Sequence, residues 1–483
     1  MTARRDLFEP VPNNILALKG RQISIANDTN SNVLLDVPPS EGVVMGTAAT
    51  PMTSSTCTNT KMSFVYNSQN TGTKVNLSQS CLKFGIVFNG GVGVACNAAS
   101  YPSWNWLGSV IRGCALYING TSIVTIENNY LKYFTAHALT TYAKDAFDTL
   151  PFVFHPAFSD EDTYAPPAAA GTGSALQRHA NYCGAGLENK VHYMYMPLYD
   201  FFCMKNAPIC INTLVRNIKI EIQFMSNNTE KGINIFGQAP NVDGGYCVGA
   251  TLQIASTNIS VAQQTQIAIE KKDTAKSEIL SFIHPVHRNF TYDGSNSLVM
   301  TNVKYLHSLM LFSIAATSVN YGGDIVDTGG NSGQLVLTKR TATQLTNNFT
   351  DTGNGTSGLT NFSVSWGSNI VYPTSPLILA TGSDATFSPR INEYITQFLL
   401  STHRLGDRSD TLPMSAISMS RTCQFLYICP YSEQIHVEEQ VADLIIRAQA
   451  STSAGYMTNI TSLAYTIRLF EIEASGAVNQ ILV

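Results

Sequence analysis

His284-Pro-Val-His287 places two imidazoles three residues apart, and Asp160-Glu161-Asp162 places three carboxylates in a row. Imidazole nitrogens suit zinc and carboxylate oxygens suit calcium. Neither arrangement has the rest of a site. The proline bars a helix that would bring the two rings to one face, and no further Cys or His stands nearby at zinc spacing. The acidic run lacks the glycine and distal glutamate of an EF-hand loop, and consecutive side chains on a strand point to opposite faces. Two histidines on a strand or loop and a solvated acidic turn are therefore expected, with no metal site. Asp407 and Asp410 form a second acidic cluster, and no carboxylate pair stands out as that of a glycosidase.

Other chemistry fails on its motifs. The chain has no GxxxxGK[ST], no GxSxG and no HExxH. Gly90-Gly-Val-Gly93 lacks the third glycine and the following helix of a dinucleotide site. The aromatic residues sit inside strand patterns and do not alternate with clustered Arg, so they read as core and not as a stacking platform. Arg4 and Arg5 could touch nucleic acid from an arm, but two charges add little, and a loose terminus is the plainer reading. No catalytic, cofactor-binding or metal-binding residue is assigned, and no enzyme activity is expected.

Bulk composition points the same way. The 483 residues are 44% hydrophobic, enough for large cores, but only 13% charged, with a net charge of −4. Such a surface gives weak long-range fields and no general attraction to nucleic acid or anionic membrane. No apolar run is long enough to span a bilayer as a helix, and MTARRDLFEPVPNN has no apolar stretch behind its arginines, so no secretory signal is expected. The ten cysteines contain no CxxC and read as free, mostly buried thiols. Sequons such as those at Asn119, Asn289 and Asn354 are expected by chance in a chain rich in Asn, Ser and Thr.

The elements that position these residues are mostly strands. Leu82–Phe88, Ile218–Phe224, Leu309–Ile314, Gln424–Ile428 and Tyr465–Ile472 are short, apolar and often alternating. Ala115–Ile118 and Ile123–Ile126 flank Asn119-Gly120, a strong hairpin signal. Helices are expected over 260–279, where Ser260 and Gln263 have capping-box spacing, and over 128–142, with Leu131, Phe134, Ala138 and Tyr142 on one face. A counterpart of the second is expected from Asn392 to about Thr402, and 433–442 is ambiguous. Long neutral loops at 165–173, 321–333 and 346–358 suit display at a surface.

The chain also carries a sign of duplication. Asp-Thr-Leu-Pro occurs at 148–151 and again at 410–413, and NNYLKYF at 128–134 matches NEYITQF at 392–398 at nearly the same offset. Two halves of similar architecture are expected, sharing a closing strand in Ile218–Phe224 and Tyr465–Ile472.

The stretch HYMYMPLYDFFCMKNAPICINTLVRNIKIEIQF, 192–224, resembles the double jelly-roll major capsid proteins of small eukaryotic double-stranded DNA viruses, the virophages and polinton-like viruses. It is more distantly similar to those of the nucleocytoplasmic large DNA viruses. The matching features are Pro197-Leu198, the aromatic turn from Tyr199 to Phe202, Lys205, Pro208, and the strand Ile218–Phe224. The resemblance implies an all-β fold of two consecutive eight-stranded jelly rolls. The first, with an N-terminal arm, would span 1–258, a connector helix 259–280, and the second jelly roll 281–483. It implies a structural protein of the virion, made in the host cytoplasm, with no cofactor. Its partners would be two further copies in a pseudo-hexameric homotrimer, neighbouring capsomers, and penton and minor capsid proteins, with no specific nucleic-acid site. A carbohydrate-binding or carbohydrate-active β-sandwich is the alternative, though it would ordinarily carry a secretion signal. A fibre or adhesin would ordinarily show many short repeats.

Overall fold

The computed structural model describes residues 33–41, 61–68, 73–89, 93–96, 111–127, 130, 133–134, 137, 179–204, 209–211, 215–224, 244–258, 260–262, 264–265, 269, 277–291, 297–303, 306–314, 359–366, 369–378, 425–428, 442–450 and 459–480. Strands dominate them. The first half contains β1 (Val33–Val37), β2 (Pro39–Glu41), β3 (Lys61–Asn67), β4 (Thr73–Asn89), β5 (Ile111–Ile118), β6 (Thr121–Ile126), β7 (His192–Pro197), β8 (Ile209–Ile211), β9 (Asn217–Phe224) and β10 (Gly244–Asn258). The second contains β11 (Ser277–Thr291), β12 (Ser297–Val303), β13 (Leu306–Ile314), β14 (Leu359–Trp366), β15 (Asn369–Ile378), β16 (Phe425–Ile428), β17 (Ala442–Ala450), β18 (Asn459–Glu473) and β19 (Val478–Gln480).

These strands form two sheets per half, and the two halves follow one path. In the first, β1-β10-β4-β7 makes one sheet, with β8 also on β4, and β2-β3-β9-β5-β6 makes the other. In the second, β11-β18-β13-β16 and β12-β17-β14-β15 do the same, with β19 on β18. With the short strands β2, β8 and β19 set aside, β10 and β18 occupy the same place, between the first and third strands of their halves. All pairings among the described strands are antiparallel, for example β9 with both β3 and β5. This is the path of a jelly roll, used twice.

Local sequence explains the strands. Ile218, Ile220 and Ile222 of β9 are buried while Lys219 and Glu221 are partly exposed, as a strand with one wet face requires. At the β5–β6 turn both central residues have positive φ, 49° at Asn119 and 84° at Gly120, the geometry of a type I′ hairpin. The first core gathers Phe64, Phe84, Phe88, Ile220 and Leu252, all fully buried. In the second, Leu309, Leu444, Ile446 and Leu463 are equally buried, and the buried Ser462 hydroxyl donates to Met300 Sδ at 2.9 Å, joining β18 of one sheet to β12 of the other.

Several expectations change. Tyr465–Ile472 is not the counterpart of Ile218–Phe224. It lies in β18, whose equivalent is β10, and β9 corresponds to β17. The helix expected over 260–279 is helical at 261–262, 264–265 and 269, but Ser277, Glu278 and Ile279 pair with Glu473, Ile472 and Glu471 of β18. Of the helix expected over 128–142, Tyr130, Tyr133, Phe134 and His137 are helical and buried, Phe134 as expected, while Leu131, Ala138 and Tyr142 lie outside the described residues. Both Asp-Thr-Leu-Pro copies lie outside the described residues, in the equivalent β6–β7 and β15–β16 connections. So do 392–402, 433–441 and the three neutral loops.

Gly120 has open space where a Cβ would stand, so Gly120→Ala meets no clash and only the left-handed conformation opposes it. It is expected to cost about 1–2 kcal/mol. The midpoint of chemical denaturation, compared with that of wild type, measures it.

Candidate functional site

Most residues singled out for chemistry, Asp160–Asp162, Asp407–Asp410, Arg4, Arg5, Lys205 and Pro208, lie outside the described residues. His284 and His287 sit in β11, opposite Thr466 and Leu463. Pro285 between them fits because β11 pairs with β18 alone among the described strands, leaving an edge where no ladder donor is needed. Cys81 is partly exposed and Cys96, Cys114, Cys183 and Cys203 are buried, all as free thiols. Burial pushes the Cys114 thiol well above its ordinary pKa, which suits packing and not reactivity. No group of three or more His, Cys, Asp or Glu side chains placed to hold a metal occurs among the described residues.

The motif segment is instead a buried anchor. Pro197 ends β7 opposite Cys81 of β4, and one helical turn, Leu198–Phe201, follows. Cys203 N–H donates to Asp200 O at 3.0 Å, and Met204 N–H donates to Tyr199 O at 2.8 Å. This pair of bonds is a Schellman ending, with Cys203 in the left-handed position at φ 53° that glycine usually takes. Leu198, Phe201, Phe202, Cys203 and Met204 are all buried.

The helix at 130–137 lies against this turn. The Tyr130 hydroxyl donates to Phe201 O at 2.7 Å, and its ring stands 5.9 Å from that of Phe134 and 5.5 Å from that of Phe201. His137 Nε2 and Asp200 Oδ1 are 2.7 Å apart, with both side chains almost wholly buried. One cluster thus clamps the start of the long β6–β7 connection to the residues just past its end. The aromatic turn therefore reads as scaffold, not as a ligand surface.

A second feature joins the halves. Asn119, at the tip of the β5–β6 hairpin, accepts from Arg216 N–H at 2.7 Å and Asn217 N–H at 3.1 Å through Oδ1. Its Nδ2 donates to Gly476 O at 2.7 Å, in the β18–β19 turn of the second half. Thr121 Oγ1 donates to Val478 O at 3.4 Å beside it. That turn is itself braced by Gly476 N–H to Glu473 O and by Asn479 Nδ2 to Glu473 Oε1. Burial pushes the Tyr133 hydroxyl far up its scale, with Cys203 adding to the shift and Arg468 of the second half opposing it.

The outer faces of the first half are polar and aromatic. Tyr193 and Tyr195 stand exposed on β7, with Lys83 Nζ 4.6 Å and 5.5 Å from their ring centres. On the other sheet Glu221 meets Lys61 at 3.0 Å and Lys219 at 2.6 Å. Burial raises the Glu221 carboxyl, but the two lysines outweigh it and leave the pKa below its ordinary value.

No family model and no curated protein matches the chain. Solved structures do. A chain of the Sputnik virophage structure solved by cryo-EM is 10% identical with a TM-score of 0.50, covering 95% of this chain and 90% of that one. PBCV-1 VP54, as fitted into a reconstruction of the virophage Sputnik, has the same identity and TM-score over 95% of this chain and 99% of its own. The mavirus major capsid protein is 10% identical at a TM-score of 0.45, over 99% of this chain and 95% of that one. The first two likenesses, over nearly the whole length, show a shared fold, the double jelly roll. No described helix is long and apolar enough to cross a membrane.

The buried clusters can be tested separately. Asp200→Ala leaves His137 facing a vacated acceptor and is expected to cost about 3–5 kcal/mol, whereas Asp200→Asn keeps an acceptor and costs less. Equal losses in urea denaturation would mean that the pair contributes nothing of its own. His192 packs between Phe88 and Tyr182, at 6.1 Å and 5.2 Å, and burial holds its pKa below the ordinary value. The folded state then binds its proton less readily than the unfolded chain. Its contribution is fully present above the unfolded pKa, about 6.5, and is lost as pH falls through the lowered folded value. Urea midpoints measured through that range should fall with acidification, and less steeply in His192→Phe.

Proposed function

We propose that the chain is a major capsid protein, a structural unit without enzymatic activity whose copies tile an icosahedral shell. Three copies would join in a capsomer of roughly hexagonal outline, in contact with neighbouring capsomers and with penton and minor capsid proteins. The observation that carries this reading is the single strand path executed twice in one chain. Two similar sandwiches per chain become six in a closed threefold ring, which approximates sixfold symmetry and packs well in a lattice. The start of the β6–β7 connection supports the same reading, because Tyr130 and His137 tie it to the scaffold turn at Asp200 and Phe201 and not to a ligand surface. Two solved structures that share the fold are a virophage chain and a protein fitted into a virophage reconstruction, which agrees with a place in the virion.

Light scattering on the purified protein, with negative-stain images of the same fraction, tests it. The expected mass is three times 52.4 kDa, with a hexagonal outline. A stable, folded monomer overturns the proposal and sends the protein to a glycan-binding screen.

A further inference from the structure

The contact between the halves runs through a chemically labile residue. Asn119 is followed by Gly120, and an asparagine before glycine is the sequence most prone to spontaneous deamidation, because no side chain hinders the next backbone nitrogen. In that reaction the Gly120 nitrogen attacks Asn119 Cγ, the Cγ–Nδ2 bond breaks, and ammonia leaves. Water then opens the cyclic imide to aspartate or isoaspartate. One water is consumed, one ammonia is released, and the side chain becomes a carboxylate.

The geometry opposes that attack while the halves are docked. Oδ1 is held by two backbone donors of the first half, and Nδ2 is held by Gly476 O of the second. Cγ is thereby fixed toward Arg216, Asn217 and Gly476. To react, the side chain must release these bonds and swing back over its own turn, which requires the junction to open. The product cannot re-form the contact. Aspartate still offers an oxygen to Arg216 and Asn217, but its other oxygen would face the Gly476 carbonyl, acceptor against acceptor. Isoaspartate also lengthens the backbone by a methylene in a two-residue turn whose φ values leave no slack.

We propose that Asn119 is a self-limiting latch between the two halves. Docking protects its amide, and conversion of that amide to a carboxylate undocks the β18–β19 turn. The inference does not depend on the capsid reading, because it concerns contacts within one chain.

The test begins with the wild-type full chain held at mildly alkaline pH, folded and in urea, with conversion at residue 119 followed by peptide mass spectrometry. Conversion in the folded protein is expected to be slower by about tenfold or more, as local opening must precede it. Equal rates overturn the proposal. The consequence is read by hydrogen exchange in Asn119→Asp and Asn119→Gly, the second keeping the turn while deleting all three side-chain bonds. Amides of 473–480 should exchange about tenfold faster in both variants, while those of β4 and β10 stay at wild-type rates. Wild-type exchange at 473–480 in the Asp variant overturns the latch. If that variant does not fold, wild-type protein aged until residue 119 has converted takes its place, and unchanged exchange at 473–480 overturns the latch there too.

Discussion

The strand β10 is hydrogen-bonded to β1 along one edge and to β4 along the other, so Val33 pairs with Ser256 and Thr73 with Asn258. The sheet that holds Leu82, Phe84 and Leu252 therefore cannot exist until the chain has been made as far as Asn258. The same holds in the second half, where β18 lies between β11 and β13. Closure of each sandwich by its last long strand is the constraint on which the rest depends. It forces long-range pairing, with a loop-closure entropy that only the assembled core can offset. It also places the β18–β19 turn late in the chain, far beyond the hairpin it docks against.

The motif cluster solves a different problem. A long connection between β6 and β7 would be costly to order along its whole length. Tyr130, Phe134 and His137 at its start meet Phe201 and Asp200 beyond β7, where apolar burial and a buried hydrogen bond offset that cost. The segment that carries the family resemblance is therefore recognisable because it is core. Its aromatic residues are constrained by packing, and no ligand is required to explain them.

Much of the fold is legible because it is written in period two. Ile218–Phe224 alternates cleanly and is a half-buried strand, and Asn119-Gly120 marks a hairpin whose φ values follow from those two residues. Alternation reports which face is buried, but not a strand's place in its sheet, so β9 and β18 look equivalent and are not. The true counterpart of β18, β10, hides its pattern behind Gly244, Gly245, Gly249 and two bulges. Ser277–Ile279 form strand and not helix because pairing with β18 outweighs local propensity. The burial of His137 is not legible from apolar spacing, because the residue looks polar and nothing nearby in sequence announces Asp200, 63 residues on. The contact of Asn119 with Gly476 spans 357 residues and has no local signature at all.

The ladder between β11 and β18 runs through fifteen consecutive partners without a register shift, from Ser277 opposite Glu473 to Thr291 opposite Asn459. At its Ser277–Glu473 end the chain arrives from the first half, and the docked turn leaves from the same end. A tensile load pulling the halves apart would thus enter the ribbon at one end, through the chain entering β11 and the docked turn on β18 together. The bonds from Asn119 and Thr121 to that turn share the load with the chain entering β11, and once they release it falls on that chain alone.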